Sequence, residues 1–272
     1  MKIGLVLGGG GARGFAHIGV LRALEERKIE PVAVAGCSMG GIIGALIAHG
    51  KNSDEIYNAF KGLKPHRLLD FSKGGALIGG RGIAEQIGAH LPKKFSDLDL
   101  PLRVVAVDVQ DGRTVTLWDG ELVPALQATS AVPGLFTPVE HEGRVLVDGG
   151  LLNNVPVDEM RSMTHEPVLA VDVTVPPNRT LLFEDDRSFW EKLKEPFQPG
   201  KRPLFIELLI KAYDIPAAVL SKIQLATYRP EYLVRPRLDP DLKLEDFRKI
   251  DEAVEAGYRE AVAVLDSPVP GV

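Results

Sequence analysis

Short apolar runs alternate along this chain with segments whose apolar residues recur at helical spacing. Runs rich in Val, Ile, Leu and Ala are typical of buried strands, and they lie at residues 2–7, 32–35, 102–107, 114–118, 145–148, 169–173 and 232–235. Helical spacing is found at residues 15–27, 42–49, 53–60, 83–90, 122–129, 203–228 and 244–265. The alternation favours an α/β fold, in which we expect 114–118 to return along 102–107 as a hairpin.

A glycine-rich turn joins the second predicted strand to a helix of small residues, with Ser38 at its apex. Gly36 and Gly40 flank Ser38 in a G-x-S-x-G spacing, which allows the serine a strained, sharply turned backbone. Its hydroxyl is then expected at a helix N-terminus, where unpaired N–H groups and the helix dipole favour negative charge on oxygen. The spacing therefore predicts Ser38 as a nucleophile.

The same stretch has two other interpretations. Residues 31–50 carry no formal charge, which is long enough for a membrane span. The five glycines within it, and the change from strand-like to helix-like pattern at the turn, argue against a span. Cys37 is a rival nucleophile, but an elbow of this kind presents its central residue, Ser38.

A second glycine-rich segment, residues 8–14, lies between the first predicted strand and the first predicted helix. Gly9, Gly11 and Gly14 match a dinucleotide-binding fingerprint, but the acidic residue expected about 20 positions later is absent. A phosphate loop is not indicated either, because no Gly-Lys-Ser/Thr follows. We therefore expect an oxyanion-binding loop whose backbone N–H groups lie around Gly9, Gly10 and Gly11.

Two charged residues lie close to these glycine-rich turns. Asp148 ends a buried strand and precedes Gly149 and Gly150, at a place where ligand sites form in α/β sheets. A cap on the turn is the plainer interpretation of Asp148. Arg13 lies within the first glycine-rich segment, where it could attract a phosphate head group or form a structural salt bridge.

Composition and charge narrow the function classes. The chain has 272 residues, 45% hydrophobic content and a net charge of −5, so we expect a globular protein that does not bind nucleic acid. The single cysteine excludes an intramolecular disulfide, which fits a reducing compartment. The apolar run at the N-terminus is too short for a signal-peptide core. These features predict a cytoplasmic protein.

Taken together, the segment 8–14, the Ser38 turn and the Asp148 turn resemble the patatin-like phospholipases, specifically their compact bacterial members. Residues 13–21, 128–138 and 148–157 are also similar to that family, so the resemblance covers roughly residues 1–175. It implies a three-layer α/β/α sandwich with a mostly parallel central sheet. It also implies a Ser-Asp dyad that hydrolyses lipid acyl esters as a phospholipase A, lysophospholipase or esterase, without cofactor or metal.

In the implied mechanism Ser38 attacks the ester carbonyl and Asp148 accepts its proton, so no histidine is required. A triad stays an alternative, because His165 follows Asp148 and because His17 and His141 lie near the motifs. A catalytically idle regulatory protein on the same fold and an acyltransferase are alternative functions.

Residues 176–231 match nothing in the resemblance, and within a single catalytic domain we expect them to be a helical insertion or lid. The helical part, 203–228, is predicted to break near Pro216. Its apolar character fits a core helix as well as a lid over an acyl pocket. With lipid as substrate, transient contact with a membrane surface is expected, and the oligomeric state is left open.

Overall fold

A computed structural model describes residues 1–63, 81–174, 204–239, 242 and 246–267. Within these residues one sheet is formed by the strands β1 (Lys2–Leu7), β2 (Glu30–Cys37), β3 (Leu102–Asp108), β4 (Arg113–Leu117), β5 (Val139–His141), β6 (Arg144–Asp148), β7 (Val168–Val171) and β8 (Tyr232–Val234). All the predicted strands are confirmed to within a few residues at their ends, and β5 is an additional short strand.

The α-helices of the described chain are α1 (Ala16–Glu26), α2 (Met39–Ala48), α3 (Ser53–Lys61), α4 (Arg81–Gly88), α5 (Leu122–Thr129), α6 (Val157–Met163), α7 (Leu204–Tyr228) and α8 (Ile250–Leu265). A short 3₁₀ helix, Gly11–Phe15, precedes α1. Helix α6 was not expected from the sequence, because its seven residues are too few to show a clear period.

The sheet is mixed but mostly parallel through its centre. Strands β3, β2, β1, β7 and β8 pair in parallel in that order, whereas β4 and β6 pair antiparallel with β3, and β5 pairs antiparallel with β6. Alternate side chains of β1 enter different clusters: Ile3, Leu5 and Leu7 pack with α1, α2 and α8, whereas Val6 packs with α6. Helices therefore cover both faces, which confirms the three-layer sandwich.

The register of β3 brings the ends of two other strands together. Its residues Val104 and Val105 pair with both β4 and β2, and its last three residues pair with both β4 and β6. Strand β4 thus occupies one edge of β3, and β2 and β6 share the other. Cys37 lies opposite Val105 and Asp148 lies opposite Ala106, so the two strands meet end to end, about 3.3 Å apart along β3.

The predicted break at Pro216 is wrong, because α7 continues through that residue. Proline removes one donor and crowds the preceding turn, but here buried side chains anchor the helix on both sides of it: Tyr213 before it, and Ala217, Ala218 and Ser221 after it. The rest of the expected insertion, residues 176–203, lies outside the described residues.

The uncharged stretch from residue 31 to residue 50 contains most of β2 and all of α2, with the Ser38 turn between them. The argument from the sequence against a membrane span in this stretch is therefore confirmed. In the described part of the chain, no helix combines the length and apolar character needed to cross a bilayer.

Candidate active site

Ser38 lies at the turn between β2 and α2 in the strained conformation that the sequence predicted. Its φ of 52° and ψ of −126° are rare for a residue with a side chain. The flanking glycines are required by close approach: a Cβ on Gly36 would lie 2.7 Å from the Gly40 carbonyl oxygen, and a Cβ on Gly40 would overlap the Leu7 carbonyl oxygen. The elbow at Ser38 is therefore confirmed.

A buried threonine holds this elbow against β3. The Ser38 N–H donates to Thr129 Oγ1 at 3.0 Å, and Thr129 Oγ1 donates to the Val105 carbonyl at 2.6 Å. Thr129 lies in the 128–138 segment, but one hydroxyl at a helix end gave no sign of this contact. It fixes the elbow to the β3 residue opposite Cys37.

Asp148 ends β6 with a fully buried carboxylate whose two oxygens have different surroundings. Oδ1 accepts hydrogen bonds from the Gly150 N–H and the Tyr213 hydroxyl, both at 2.8 Å, and the Cys37 thiol donates to it at 3.5 Å. Oδ2 is buried, and it has no hydrogen-bond partner of ordinary geometry among the described residues. One oxygen is thus held while the other is left available.

The pKa of Asp148 is raised above its ordinary value, mainly because burial disfavours the charged carboxylate. The Ser38 hydroxyl acts in the opposite direction, since it lies close enough to stabilise that charge. The Gly150 N–H, the Tyr213 hydroxyl and the Cys37 thiol also lower the pKa. These donors oppose the effect of burial on the carboxylate.

Cys37 is unsuited to act as the nucleophile in this position. Its side chain is fully buried, and burial followed by the charge of Asp148 raises the thiol pKa well above its ordinary value. Because the thiolate is the reactive form of cysteine, Cys37 stays an inert thiol that donates to Asp148. This favours Ser38 over its rival.

The first glycine-rich segment passes directly against Ser38. A Cβ on Gly9 would lie 3.0 Å from Ser38 Cβ and 2.6 Å from Asn154 Oδ1. The Gly9 N–H donates to the Asn154 carbonyl at 3.2 Å, so this predicted oxyanion donor is engaged elsewhere. The N–H groups of Gly10 and Gly11 donate to no acceptor within the described chain and are the candidates that remain.

The conformation of this loop depends on Gly11 and on Arg13. Gly11 has a φ of 54°, whereas the φ of Gly10 is 172°, an extended value open to any residue. Arg13 is buried, its Nε donates to the Gly10 carbonyl at 3.2 Å, and its guanidinium pairs with Asp214 at 3.5 Å. Arg13 therefore supports the loop through structural contacts, in line with the salt-bridge interpretation.

The remaining motif glycines allow close packing around the site. A Cβ on Gly14 would lie 2.6 Å from Met39 Cγ, one on Gly149 would overlap the Val105 carbonyl oxygen, and one on Gly150 would overlap the Tyr213 hydroxyl. Tyr213 had no sequence signal, because it is one tyrosine within an apolar helix distant from every motif. The structure thus adds Tyr213, Thr129 and Asn154 to the residues expected at the site.

No contact joins His17, His141 or His165 to Ser38 or Asp148 in the described chain. His17 is fully buried, with its Nε2 2.8 Å from the Gly8 carbonyl oxygen. Burial lowers the pKa of His17 to about 4, so the ring is neutral and must carry its proton on Nε2 to donate to that carbonyl. His17 thus supports the glycine-rich loop through its hydrogen bond to the Gly8 carbonyl.

The buried neutral His17 predicts a pH-dependent stability. An unfolded histidine takes up a proton near a pKa of about 6.5, whereas folded His17 does so only at about 4. The stabilisation is therefore present above pH 6.5 and is lost as pH falls toward 4. We expect the unfolding free energy to fall by about 2 kcal/mol more between about pH 7 and pH 5 than in His17→Gln.

Urea unfolding of both proteins at the two pH values measures this difference. His165→Gln is the matched control, because its ring is exposed and makes no hydrogen bond in the described chain, and it should follow the unmodified protein. Equal pH dependence in His17→Gln and the unmodified protein would contradict the assignment of a neutral His17.

Comparison with known proteins gives consistent matches. Residues 5–161 match the family model described as patatin-like phospholipase. Human patatin-like phospholipase domain-containing protein 6 is 32% identical over 279 residues, which cover 97% of this chain and 20% of that protein. An uncharacterized NTE family protein of Mycobacterium tuberculosis strain H37Rv is 36% identical over 177 residues, 63% of this chain and 49% of that protein.

Lysophospholipase nte1 of Aspergillus niger is 30% identical over 275 residues, covering 94% of this chain and 18% of that protein. The chain thus spans about half or less of the length of these curated relatives. Among solved structures, VipD from Legionella pneumophila matches with a TM-score of 0.60 at 17% identity, over 97% of this chain and 66% of that chain. This last likeness shows a shared fold.

Proposed function

This chain belongs to the patatin-like phospholipase family, and on that premise we propose that it hydrolyses the acyl esters of lipids with Ser38 as nucleophile and Asp148 as base. The observation that carries the proposal is the meeting of β2 and β6 on one edge of β3. It brings a serine on a strained elbow beside a buried carboxylate whose Oδ2 is unoccupied.

In the first half-reaction Ser38 Oγ attacks the ester carbonyl while its proton passes to Asp148 Oδ2. The carbonyl oxygen becomes an oxyanion, which we assign to the N–H groups of Gly10 and Gly11 and to the positive end of α2. The tetrahedral intermediate then collapses, the C–O bond to the alcohol breaks, and Asp148 returns the proton to the leaving oxygen. The product is an acyl group on Ser38.

In the second half-reaction water attacks the acyl group, and Ser38 becomes the leaving group. Asp148 takes a proton from the attacking water, the oxyanion forms again, and Ser38 leaves as the alcohol after recovering that proton. The fatty acid is released and the free serine is restored. An alcohol or thiol acceptor in place of water would give acyl transfer, which product analysis with an added acceptor detects.

The oxyanion assignment predicts a large effect at Gly11. Gly11→Val should lower kcat by about 10²- to 10³-fold, because valine does not tolerate the φ of 54° and would displace the loop donors. Steady-state hydrolysis of a p-nitrophenyl ester measures this loss. Gly112→Val is the matched control: Gly112 has a φ of 64° at the exposed β3–β4 turn, with open space around a Cβ. Equal losses in both variants would refute the assignment.

A panel of acyl esters tests the proposed function itself. It contains p-nitrophenyl esters of graded chain length, phospholipids and lysophospholipids, with a fluorophosphonate label for the nucleophile. Because one relative is named a lysophospholipase, we propose lysophospholipids as the first lipid substrates to try. Absence of both hydrolysis and labelling in the folded protein would favour an idle regulatory role.

Under this proposal a lipid is the substrate that binds at this site. Transient contact with a membrane surface remains a prediction that follows from such a substrate. Co-sedimentation with phospholipid vesicles tests it, and protein that stays in the supernatant at every lipid concentration would contradict it.

A further inference from the structure

We propose that Tyr213 is a positioning residue that fixes the Asp148 carboxylate, binding Oδ1 so that Oδ2 is left to accept the proton of Ser38. This inference rests on the function proposed above. Tyr213 belongs to α7, which lies beyond residue 161, where the match to the family model ends. The base would thus be completed by a helix from outside the matched segment.

The contact is direct and buried. The Tyr213 hydroxyl donates to Asp148 Oδ1 at 2.8 Å, the same distance as the Gly150 N–H. Two such donors on one oxygen, with the Cys37 thiol at 3.5 Å, oppose rotation of the carboxylate about the Cβ–Cγ bond of Asp148. Oδ2 then keeps a constant direction and has no competing donor in the described chain.

Packing on both sides holds the hydroxyl in place. The Tyr213 ring is buried in a small apolar cluster with Ile210 of its own helix and with Val132 and Leu135 of the segment after α5. The hydroxyl fills the space that a Cβ on Gly150 would occupy. A residue larger than glycine at 150 would therefore push the donor away from Asp148.

The next residue of α7 attaches the helix to the other half of the site. Asp214 pairs with Arg13 at 3.5 Å, and Arg13 Nε donates to the Gly10 carbonyl. Consecutive residues of one helix thus contact the base and the support of the oxyanion loop. These two contacts fix the position of Tyr213 relative to Asp148.

The charged and titratable groups around the contact favour a neutral phenol. Burial and the charge of Asp148 raise the pKa of Tyr213 well above its ordinary value, with smaller contributions from Cys37 and Asp214. Tyr213 therefore remains a neutral donor at neutral pH. Since its hydrogen bond stabilises the charged carboxylate, it lowers the pKa of Asp148 against the effect of burial.

Tyr213→Phe tests the proposal because it removes one hydroxyl and keeps the ring. For a p-nitrophenyl ester, the acid limb of the kcat/KM profile should move to higher pH by about one unit. At pH values on that limb, activity should fall about tenfold with little change in KM. Tyr258→Phe is the matched control, because the Tyr258 hydroxyl donates to Glu26 Oε2 at 2.7 Å on another helix pair. Its profile should coincide with that of the unmodified protein.

A second measurement needs no turnover. ¹³C NMR of labelled aspartate carboxyl carbons follows the titration of Asp148, whose signal is identified by its loss in Asp148→Asn. The midpoint should be higher in Tyr213→Phe than in the unmodified protein. Failure to hydrolyse any ester would refute the proposed function, whereas an unchanged midpoint would overturn the role of Tyr213.

A third experiment covers the case in which Tyr213→Phe does not fold. Incorporation of 3-fluorotyrosine makes the phenol a stronger donor, so the Asp148 midpoint should move to lower pH in an otherwise unmodified chain. The same incorporation in Tyr258→Phe excludes a contribution from that residue. An unchanged midpoint here overturns the proposal equally.

Discussion

Replacement of Ser38 by alanine is expected to lower ester hydrolysis by about 10⁴-fold or more while the protein stays folded. The change removes only the oxygen that would attack the substrate, and alanine can keep the backbone of the elbow. The Ser38 N–H still has Thr129 Oγ1 as its acceptor. Steady-state kinetics with a p-nitrophenyl ester, together with thermal unfolding, measure the two parts of this prediction.

Labelling by a fluorophosphonate gives an independent readout. The unmodified protein should be labelled once, at Ser38, and Ser38→Ala should not react. Ser53→Ala is the matched control, since Ser53 is also a buried serine but lies at the start of α3, bonded to Glu25. Turnover above a few per cent in Ser38→Ala, with the label on Cys37, would assign the reaction to the thiol instead.

Replacement of Asp148 by asparagine should lower kcat by about 10²- to 10⁴-fold, the range for loss of a positioned base. The amide oxygen is expected to occupy the Oδ1 position, where the Gly150 N–H and Tyr213 hydroxyl require an acceptor. The NH₂ group would then replace Oδ2, where it donates but does not accept. The variant keeps the shape of the site and lacks its proton acceptor.

Controls for this variant come from another buried aspartate and from two of the histidines. Asp108→Asn should retain its activity, because Asp108 is buried at the end of β3 with its carboxylate on the Gln110 N–H. Variants to alanine at His141 and His165 should also retain most activity. A folded histidine variant that loses as much activity as Asp148→Asn would replace the dyad with a triad.

The sequence predicted those parts of the site that depend on backbone geometry. The glycines around Ser38 are needed because carbonyl groups approach within van der Waals contact, and such a requirement leaves a spacing that can be read without a structure. Asp148 was predicted less directly: its place between a strand and two glycines indicated a turn cap or a ligand site, and only the family resemblance implied that it acts as the base. The order of the main strands and helices followed from their periodicity.

What the sequence did not predict depends on contacts between distant segments. Tyr213 lies 65 positions from Asp148 on a helix whose apolar pattern fits a lid or a core helix. The antiparallel direction of β6 has no local signature either, because buried strands of both directions are apolar runs. Likewise, Gly9 was expected to donate to an oxyanion, and only the position of the Asn154 carbonyl shows that its N–H is already engaged.

Because β2 and β6 pair along the same edge of β3, the backbone of β3 sets the distance between the ends of these two strands. Ser38 and Asp148 are far apart along the chain, yet the spacing of Val105 and Ala106 sets how close their strands can come. A slip of β6 by two residues would keep the same side chains inward and would carry the carboxylate about 6.6 Å away. If Ser38 and Asp148 react as we propose, activity depends on strand alignment as well as on these two side chains, and an intact motif does not guarantee an active chain.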